Sequence, residues 1–365
     1  MAVIARRRAP DETLVLVVFA LAVFGVVMVF SSSYAFAGRS YLKTQSMWLA
    51  LGLGAMLLMS RVPYWHLRRF ARPMLAVAAA LLLFVYFRGV EHGGAKRWIE
   101  LGPVTVQPSE FAKIAIIVFL AWLVSTRRRH VHEFHRVVWP GMLALGLVCA
   151  LTAVEPDMGT AIVMFVVGLI VLYIGGAPPQ HIVPIAAGAF AAAFAAVRST
   201  PYQWERVIAW LHPDVASEAA TYQIKHCVIA IGSGGLFGRG LGSGTEKLSY
   251  LPAPHTDSIF AVVGEEFGLV GTVAVIFLLC WLARRGFSIA MQARDPFAAV
   301  VAAGIVAAIT IQAVLNIAVV TRSIPCTGLP LPFLSAGGSS LVVLMAAVGI
   351  LLNISENVNR LPDYR

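Results

Sequence analysis

Long apolar runs separated by short polar connections recur from one end of the chain to the other. Ten of these runs predict helices that cross a membrane, although several are short for a bilayer and are expected to be tilted or to extend beyond the limits given. Because a helix in lipid must satisfy its own backbone hydrogen bonds, each run is interpreted as an α-helix. The approximate limits are 13–31, 42–59, 73–87, 109–125, 138–154, 159–175, 182–197, 257–282, 297–320 and 332–353. The pattern therefore predicts an all-α polytopic membrane protein of about ten transmembrane helices, with residues 1–365 forming one integral membrane domain.

Basic residues cluster in alternate connections between the runs. They precede the first run and follow the second, fourth and eighth, at Arg6, Arg7, Arg8, Arg61, Arg68, Arg69, Arg72, Arg127, Arg128, Arg129, Arg136, Arg284, Arg285 and Arg294. Since short cytoplasmic loops are rich in Lys and Arg, this asymmetry predicts that both termini are cytoplasmic. The opposite side then carries two long connections, 88–108 and 198–256. The second is the predicted large extracytoplasmic loop between helices 7 and 8, partly ordered and folded against the membrane surface.

Composition agrees with a membrane protein and narrows the partners. The chain is 59% hydrophobic and 13% charged, whereas soluble domains carry about 25% charged residues. The net charge of +10 arises from short basic clusters between apolar runs, so no nucleic-acid partner is expected. Cys227 and Cys326 fall near loops without the spacing of metal ligands. The sequence does not determine whether a disulfide joins these two cysteines.

The first long connection carries two cations beside an aromatic residue, Lys96, Arg97 and Trp98. Such a group is typical of an anchor at the membrane interface. It also suits an anionic, lipid-linked headgroup, because Lys and Arg bind phosphate oxygens and a Trp ring stacks on a sugar. Both interpretations are retained.

Charged residues next occur inside or beside apolar runs. Ser109 is expected to cap a helix, and Glu110 suits the positive end of its dipole. Lys113 lies one turn deeper and can bridge Glu110. Glu155 and Asp157 occupy a very short connection, where they either face water or turn inward. In the second case Asp157 can reach Lys113, since both lie toward the outer side.

The stretch LPAPHTDSIFAVVGEEFGLVG, residues 251–271, places polar residues at the start of an apolar helix. Thr256 or Asp257 can cap this helix, and Asp257 can instead take part in catalysis. At 100° per residue, Glu265 and Glu266 cannot both share the face of Asp257. At least one of these glutamates is therefore expected to serve packing or a partner helix.

Two glycine-rich segments complete the candidate chemistry. Residues 232–252 contain many glycines but lack the spacing of a phosphate-binding P-loop. Residues 329–342 place Ser335 and Ser339 at the start of the last run. Small residues there permit either close helix packing or contact between a ligand and the backbone.

Taken together, these segments resemble the SEDS family, which includes FtsW, RodA and SpoVE. The resemblance covers about residues 14–354 and rests on GAKRWIELGPVTVQPSEFAK, EPDMGTA, Tyr222-Gln223, IGSGGLFGRGLGSGTEKLSYLPAPHTDSIFAVVGEEFGLVG and PLPFLSAGGSSL. The GEE at 264–266 is closer to FtsW and SpoVE than to RodA. Ala253, Ser258 and Ala336 depart from the residues usual in the family, at the edge of the site.

The resemblance implies a peptidoglycan glycosyltransferase in the bacterial cytoplasmic membrane that polymerises lipid II on the outer face. It also implies a ten-helix fold and a class B penicillin-binding protein as transpeptidase partner, beside other divisome or elongasome membrane proteins. The essential aspartate of the family corresponds to Asp257. Further family positions correspond to Trp98, Glu110, Lys113 and Asp157, and Gln223, His255, Ser335 and Ser339 join them as substrate-binding candidates.

This activity sets the chemistry that the residues must perform. A carboxylate can accept the proton of the attacking sugar hydroxyl, and direct displacement inverts the anomeric centre. The leaving pyrophosphate needs cations, for which the candidates are Lys96, Arg97, Arg206, Arg239 and Lys247. Alternatively, Asp257 holds a divalent cation such as Mg²⁺ or Mn²⁺.

Two other functions use the same residues. A lipid II flippase would move the headgroup through the polar cavity and would need access from both faces of the membrane. A non-catalytic scaffold would only recruit a transpeptidase, and Asp257 would then be replaceable. The sequence does not distinguish a role in division from one in elongation or sporulation.

Overall fold

The computed structural model describes residues 9–92, 95–102 and 104–359. Each of the ten predicted runs corresponds to a long helix. These are α1 (Glu12–Ala37), α2 (Ser40–Arg61), α3 (Trp65–Arg88), α4 (Pro108–Thr126), α5 (Trp139–Val154), α6 (Met158–Ile174), α7 (Pro179–Ser199), α11 (Ile259–Gln292), α12 (Pro296–Val320) and α13 (Gly338–Glu356). Three shorter helices lie in the predicted outer loop, α8 (Pro201–Leu211), α9 (Glu218–Ser233) and α10 (Glu246–Ser249). A 3₁₀ turn (Arg128–His130) and a π-helical turn (Phe134–Val138) connect α4 to α5.

The helices confirm the prediction of a polytopic membrane protein. Within the described part of the chain, 8 helices are long and apolar enough to cross a membrane. Helix α6 is apolar but shorter than these. Helix α2 begins with polar residues that include Lys43, Thr44 and Gln45, which shortens its apolar part.

The connection between α3 and α4 contains a small antiparallel sheet that the sequence analysis did not predict. Its three strands are β1 (Val90–His92), β2 (Ala95–Leu101) and β3 (Val104–Val106), in the order β1-β2-β3. β-Branched residues, which favour strands, dominate β3 and recur in β2. Because the strands are only 3, 7 and 3 residues long, the turn signals around them outweighed their weak alternation. The sheet lies where α3 ends and α4 begins, which places Arg97 and Trp98 at that end of the bundle.

Helices α4 and α12 form the centre of the bundle. Most residues of both helices are buried, and both helices pack against α6. Around this centre, α13 packs along α2 so closely that a side-chain carbon at Gly349 would overlap the carbonyl oxygen of Met56. Helix α7, which is described throughout, contains no buried residue. One side of it packs partly against the core, at Ile182 and Ile185, and the remaining surface is available to lipid or to another chain.

Ion pairs between helices hold one end of the bundle. Arg285 of α11 lies 2.7 Å from Asp11, which caps α1. Arg68 of α3 lies 3.2 Å from Asp295, which caps α12. These arginines belong to the clusters predicted to face the cytoplasm, and Asp257 lies at the opposite end of the bundle.

Candidate functional site

Asp257 lies in the turn that precedes α11 and is half-buried. Its Oδ2 atom accepts a hydrogen bond from Gln223 Nε2 at 3.0 Å, and its Oδ1 atom accepts one from Thr256 Oγ1 at 2.9 Å. Helix α11 begins at Ile259, and Ser258 stands at the N-cap position. Asp257 is therefore not the helix cap that one interpretation predicted. Its carboxylate is held by two neutral donors, and the residue stays partly exposed.

The main chain of this turn is fixed by α12. Asn316 Nδ2 donates to the carbonyl oxygen of Asp257 at 2.9 Å and to that of Leu329 at 2.7 Å. Asn316 is only 1% exposed. Since an amide buried in an apolar helix needs such partners, Asn316 holds the turn against the loop before α13.

The same loop fixes the two residues before Asp257. Ser335 Oγ donates to the carbonyl oxygen of Thr256 at 2.6 Å, and Ala336 N donates to that of His255 at 2.7 Å. Ser335 was predicted to contact substrate, but its hydroxyl is committed to the backbone of the site. It therefore acts on the position of the turn.

His255 is packed among aromatic rings. Its ring lies 4.7 Å from the ring of Tyr41 and 5.8 Å from that of Phe36, between centroids. Burial lowers the pKa of His255, although Asp257 opposes this shift. The neutral imidazole is thus favoured beside the carboxylate.

Two thiols and a cation surround Gln223. Cys326 Sγ lies 3.5 Å from Gln223 Oε1, and Cys227 Sγ lies 3.7 Å from Ser258 Oγ. All four cysteines lie in the described ranges and are free thiols, so Cys227 and Cys326 are not joined by a disulfide. Burial raises the pKa of the Cys227 thiol to about 12. Arg206 Nη1 donates to the Cys326 carbonyl oxygen at 3.2 Å, which brings this guanidinium close to Gln223.

A second polar group is buried between α4, α12 and α13. Lys113 Nζ lies 2.9 Å from Glu110 Oε1 and donates to Gln312 Oε1 at 2.7 Å. Ser340 Oγ donates to Glu110 Oε2 at 3.0 Å. Each charge in this pair thus has the additional partner that a buried ion pair requires.

A third group surrounds Asp157, which caps α6 by accepting from Thr160 N at 3.3 Å. Gln107 Nε2 donates to Asp157 at 2.9 Å, and Ser109 Oγ lies at 3.4 Å. The predicted contact between Asp157 and Lys113 does not form in the described structure. The predicted cap at Ser109 is also wrong, because α4 begins at Pro108 and Ser109 lies in its first turn.

Arg97 joins the sheet to this third group. Its Nη1 atom lies 3.9 Å from Asp157, its Nε donates to the carbonyl oxygen of Glu155 at 3.1 Å, and its Nη2 donates to that of Pro156. The Glu155 side chain is buried, and its carboxylate oxygens accept no hydrogen bond from the described residues. Burial, followed by the charge of Asp157, raises the pKa of Glu155 to about 8.

The three groups form one connected network of buried polar residues. Asn316 and Gln312 lie one turn apart on α12 and donate to the adjacent carbonyl oxygens of Leu329 and Pro330. At the far side, Gln107 N donates to Ser339 Oγ at 3.1 Å, beside Ser340. Hydrogen bonds or ion pairs join Asp257 to Asn316, then Gln312, Lys113, Glu110 and Ser340 in that order, and then Ser339, Gln107, Asp157 and Arg97 in that order. The backbone joins Asn316 to Gln312 and Ser340 to Ser339.

The comparisons with known proteins point to one family. A family model for FtsW, RodA and SpoVE, described as a cell cycle protein, matches residues 12–360. A probable peptidoglycan glycosyltransferase FtsW of Geobacter metallireducens is 38% identical over 96% of this chain and 96% of that protein. Stage V sporulation protein E of Bacillus subtilis is 37% identical over 96% of this chain and 98% of that protein.

Solved structures give the same result. A chain from work on the structural coordination of polymerization and crosslinking by a peptidoglycan synthase complex matches with a TM-score of 0.80 and 29% identity, over 96% of this chain and 98% of that one. The rod shape determining protein RodA of Thermus thermophilus matches with a TM-score of 0.74 and 29% identity, over 96% and 98% of the two chains. This protein belongs to the SEDS family.

For this SEDS protein, the structure changes the role of one predicted cation. Lys247 was expected to face outward, but it is 4% exposed and bonds to Glu266 and to Ser31 Oγ. The physical reason is that α10 turns its side chain toward α1 and α11, where the carboxylate needs a counter-charge. Lys96 is exposed on β2, beside the half-buried Trp98.

Glu265 and Glu266 serve packing, as the helical geometry predicted for at least one of them. Glu265 accepts hydrogen bonds from the backbone of Thr245 at 2.6 Å and of Glu246 at 3.2 Å. Glu266 accepts from Ser31 Oγ at 2.7 Å. Both carboxylates thus hold the end of the glycine-rich segment rather than a substrate.

Asp257 is the only candidate that was assigned to a metal, and it supplies a single carboxylate. Within the described residues, no group of three or more His, Cys, Asp or Glu side chains could hold a metal ion by itself. The site suits a cation such as Mg²⁺ that takes one carboxylate and completes its shell with substrate phosphates and water.

Asn316, Gln312 and Gln107 were not among the site residues predicted from the sequence. The signal for the first two was present, because TIQAVLNIAVV places two amides four residues apart in an otherwise apolar helix. Polar residues inside a membrane helix are costly and usually mark a site.

Proposed function

We propose that this protein is a peptidoglycan glycosyltransferase that polymerises lipid II into glycan strands on the outer face of the cytoplasmic membrane. Membership of the SEDS family and relatives named as peptidoglycan glycosyltransferases support this function. The observation that carries the proposal is the geometry of Asp257. Its carboxylate caps no helix, is held by neutral donors, and has a main chain fixed from α12.

In the proposed reaction, a hydroxyl oxygen of the acceptor sugar attacks the anomeric carbon of the lipid-linked donor. The new glycosidic C–O bond forms as the bond from that carbon to the pyrophosphate breaks, and the pyrophosphate leaves with the electron pair. The Asp257 carboxylate accepts the proton of the attacking hydroxyl, which is general base catalysis. A single displacement of this kind inverts the anomeric centre.

Arg206 is the cation best placed to receive the leaving pyrophosphate. It contacts the Cys326 carbonyl, and the Cys326 thiol contacts Gln223, which holds Asp257. Arg239 and Lys96 are further exposed cations, whereas Lys247 is neutralised by Glu266. A divalent cation bound by Asp257 would add neutralisation of the pyrophosphate charge.

We further propose a class B penicillin-binding protein as partner. A similar chain belongs to a peptidoglycan synthase complex described as coordinating polymerization and crosslinking. The expected contact lies near α11 and α12. Crosslinks confined to α1, α2 and α3 would contradict this position.

The direct test is polymerisation of lipid II by the full chain, purified with its cognate transpeptidase. Asp257→Asn is compared with Asp214→Asn, a control at an exposed aspartate between α8 and α9. We expect the first variant to lose about 10²- to 10⁴-fold in rate, the usual contribution of a general base. The control should retain the wild-type rate, and partner binding verifies that both variants are folded.

Other outcomes are equally informative. Equal polymerisation by wild type and Asp257→Asn would remove Asp257 from catalysis. If wild type makes no glycan but moves lipid II across liposome bilayers, the protein is a flippase. If it does neither but still activates the transpeptidase, it is a scaffold. Loss of polymerisation in EDTA that Mg²⁺ restores would assign a divalent cation to the reaction.

A further inference from the structure

The glycine-rich segment after α9 fills a break in helix α11. Gly268 has φ 64° and ψ −156°, so the regular helical hydrogen bonds across it are interrupted. Such a break frees the carbonyl oxygens of Glu265 and Glu266 and the amides of Leu269 and Val270. In a membrane helix, backbone groups freed in this way must find other partners.

The glycine-rich segment supplies these partners through its own backbone. Arg239 N donates to the Glu265 carbonyl oxygen at 3.0 Å, and Gly240 N donates to that of Glu266 at 3.0 Å. In return, the carbonyl oxygen of Gly235 accepts from Leu269 N at 2.9 Å. In the fourth bond, Val270 N donates to the carbonyl oxygen of Leu236 at 3.1 Å.

Glycine is required where the two backbones meet. A side-chain carbon at Gly234 would overlap the carbonyl oxygen of Gly264, and one at Gly238 would overlap that of Glu266. The repeated glycines thus permit backbone contact with a helix, and do not cradle a phosphate.

The depth of this contact in the membrane can be estimated along α1 and α11, because an ion pair joins these two helices at one end of the bundle. Asp11 and Arg285 mark one polar end of the bundle. From Asp11 to Ser31 along α1 is about 30 Å, and from Arg285 to Glu266 along α11 is about 28 Å, at about 1.5 Å per residue. Ser31 and Glu266 are hydrogen-bonded to each other at 2.7 Å, so the two estimates meet at one place.

This place is the outer edge of the hydrocarbon, because a bilayer core is about 30 Å thick. The contact at Leu269 and Val270 lies one turn further in, about 5 Å below that edge. On this estimate the segment extends below the membrane surface, whereas the sequence predicted a loop folded against that surface. It enters the outer leaflet beside α11 and returns.

The side chains of this segment agree with the estimate. Leu236, Phe237 and Leu241 are 62%, 80% and 56% exposed on the protein. They continue an exposed apolar face of α11 at Leu269 and Val270, which are 55% and 57% exposed within a helix that can span the membrane.

Arg239, the cation of this segment, lies at a depth where a charged side chain is tolerated. Arg239 binds Thr245 Oγ1 at 2.8 Å and lies 3.6 Å from Glu265 Oε1, level with the estimated edge of the hydrocarbon. Long cationic side chains commonly bury their stems and keep the charge at the interface.

We propose that residues 234–241 form a re-entrant tip whose Leu236, Phe237 and Leu241 contact the acyl chains of the outer leaflet. The tip is continuous with α9, which carries Gln223 to Asp257. Lipid contact thus anchors the helix that holds the carboxylate. This proposal concerns only the insertion of the tip into the membrane, and it does not depend on the proposed reaction.

The test is the accessibility of spin labels on the full chain in vesicles of phosphatidylcholine and phosphatidylglycerol. Labels are placed at Phe237→Cys and at Val215→Cys, an exposed position between α8 and α9 (82% exposed). Both variants carry Cys280→Ala, since Cys280 is the exposed native thiol. The Cys280→Ala parent measures background labelling, and Leu236→Cys replaces Phe237→Cys if the latter does not fold.

We expect oxygen to relax the label at position 237 severalfold more than a water-soluble nickel complex does, and the reverse order at position 215. Equal nickel accessibility at the two positions would place the tip in water and overturn the proposal. Protection of position 237 from both reagents would place protein over the tip, either a second copy or another part of the chain, and would also overturn it.

Discussion

At the scale of single residues, several polar side chains of the site are amides and carboxylates that lie in otherwise apolar helices. Asn316 is the clearest case, because it touches neither open solvent nor a charge. It binds the main chain of Asp257 and the loop before α13. A residue of this kind influences catalysis through the position of another residue.

We expect Asn316→Leu to lower polymerisation about tenfold to a hundredfold, since a small misplacement of a reacting group has an effect of this size. The variant leaves the buried carbonyl oxygens of Asp257 and Leu329 without their donor. Because substrate contacts are unchanged, kcat should fall more than KM rises. Thr310→Ala is the control on the same helix, where the hydroxyl bonds only to the carbonyl oxygen of Val306. An equal loss in both variants would indicate general damage to α12.

Glu155 gives a pH-dependent prediction. Its folded-state pKa is about 8, whereas an exposed glutamate titrates near about 4.3. The folded state therefore binds more protons between these values, and its free energy of unfolding falls as the pH rises through them.

We expect Glu155→Gln to unfold at the same temperature as wild type near pH 4, and at a temperature several degrees higher above pH 8, because the amide carries no charge to desolvate. Thermal unfolding in a fixed detergent over this pH range measures the difference. Glu91→Gln, at an exposed carboxylate of β1, is the control. A difference between Glu155→Gln and wild type that does not change with pH would contradict the raised pKa.

At the scale of elements, close backbone contacts determine how helices pair. The contact between α2 and α13 depends on Gly349 against Met56, and the contact of the re-entrant tip depends on glycines against α11. Small residues are a general means of helix association in lipid, where apolar burial gives little preference for a protein neighbour.

Gly349→Ala should lower the free energy of unfolding by about 1–3 kcal/mol, the usual effect of overpacking. The added carbon would meet backbone, which cannot rotate away. Gly54→Ala is the matched control on α2, because a Cβ there meets nothing within 4 Å. That control should be neutral or slightly stabilising, since Ala favours helix over Gly. Thermal unfolding of both variants makes the comparison, and equal values would contradict the packing argument.

At the scale of the whole molecule, the two ends of the bundle differ in chemistry. One end is held by ion pairs of Arg68 and Arg285, and the other carries the sheet, the helices α8, α9 and α10, and Asp257. The distribution of arginines predicts that the first end is cytoplasmic.

We expect a membrane-impermeant maleimide to label Val215→Cys in right-side-out membrane vesicles, and to label Arg129→Cys only after the vesicles are opened. Both positions are exposed and belong to opposite ends of the bundle. The Cys280→Ala parent gives the background. The reverse order of labelling would invert the topology and place Asp257 in the cytoplasm.

The apolar pattern of the chain predicted the ten long helices, but not the three shorter helices α8, α9 and α10. Apolar runs of membrane length specify helices because lipid offers the backbone no other hydrogen-bond partners. The motif residues also pointed to Asp257, Glu110, Lys113 and Asp157. The spacing of Glu110 and Lys113 predicted their ion pair, whereas the partners of Asp257 and Asp157 did not follow from spacing.

The contacts between polar groups that lie far apart in sequence depend on the tertiary structure. Asp157 binds Gln107 and Arg97 instead of Lys113, and Lys247 turns inward to Glu266. These pairings join residues far apart in sequence, so they depend on how the helices pack. The strands around Trp98 pair locally, but they are too short to carry a clear periodic signal of their own. The re-entrant tip depends on contacts with α11, and a glycine-rich segment likewise carries little periodic signal.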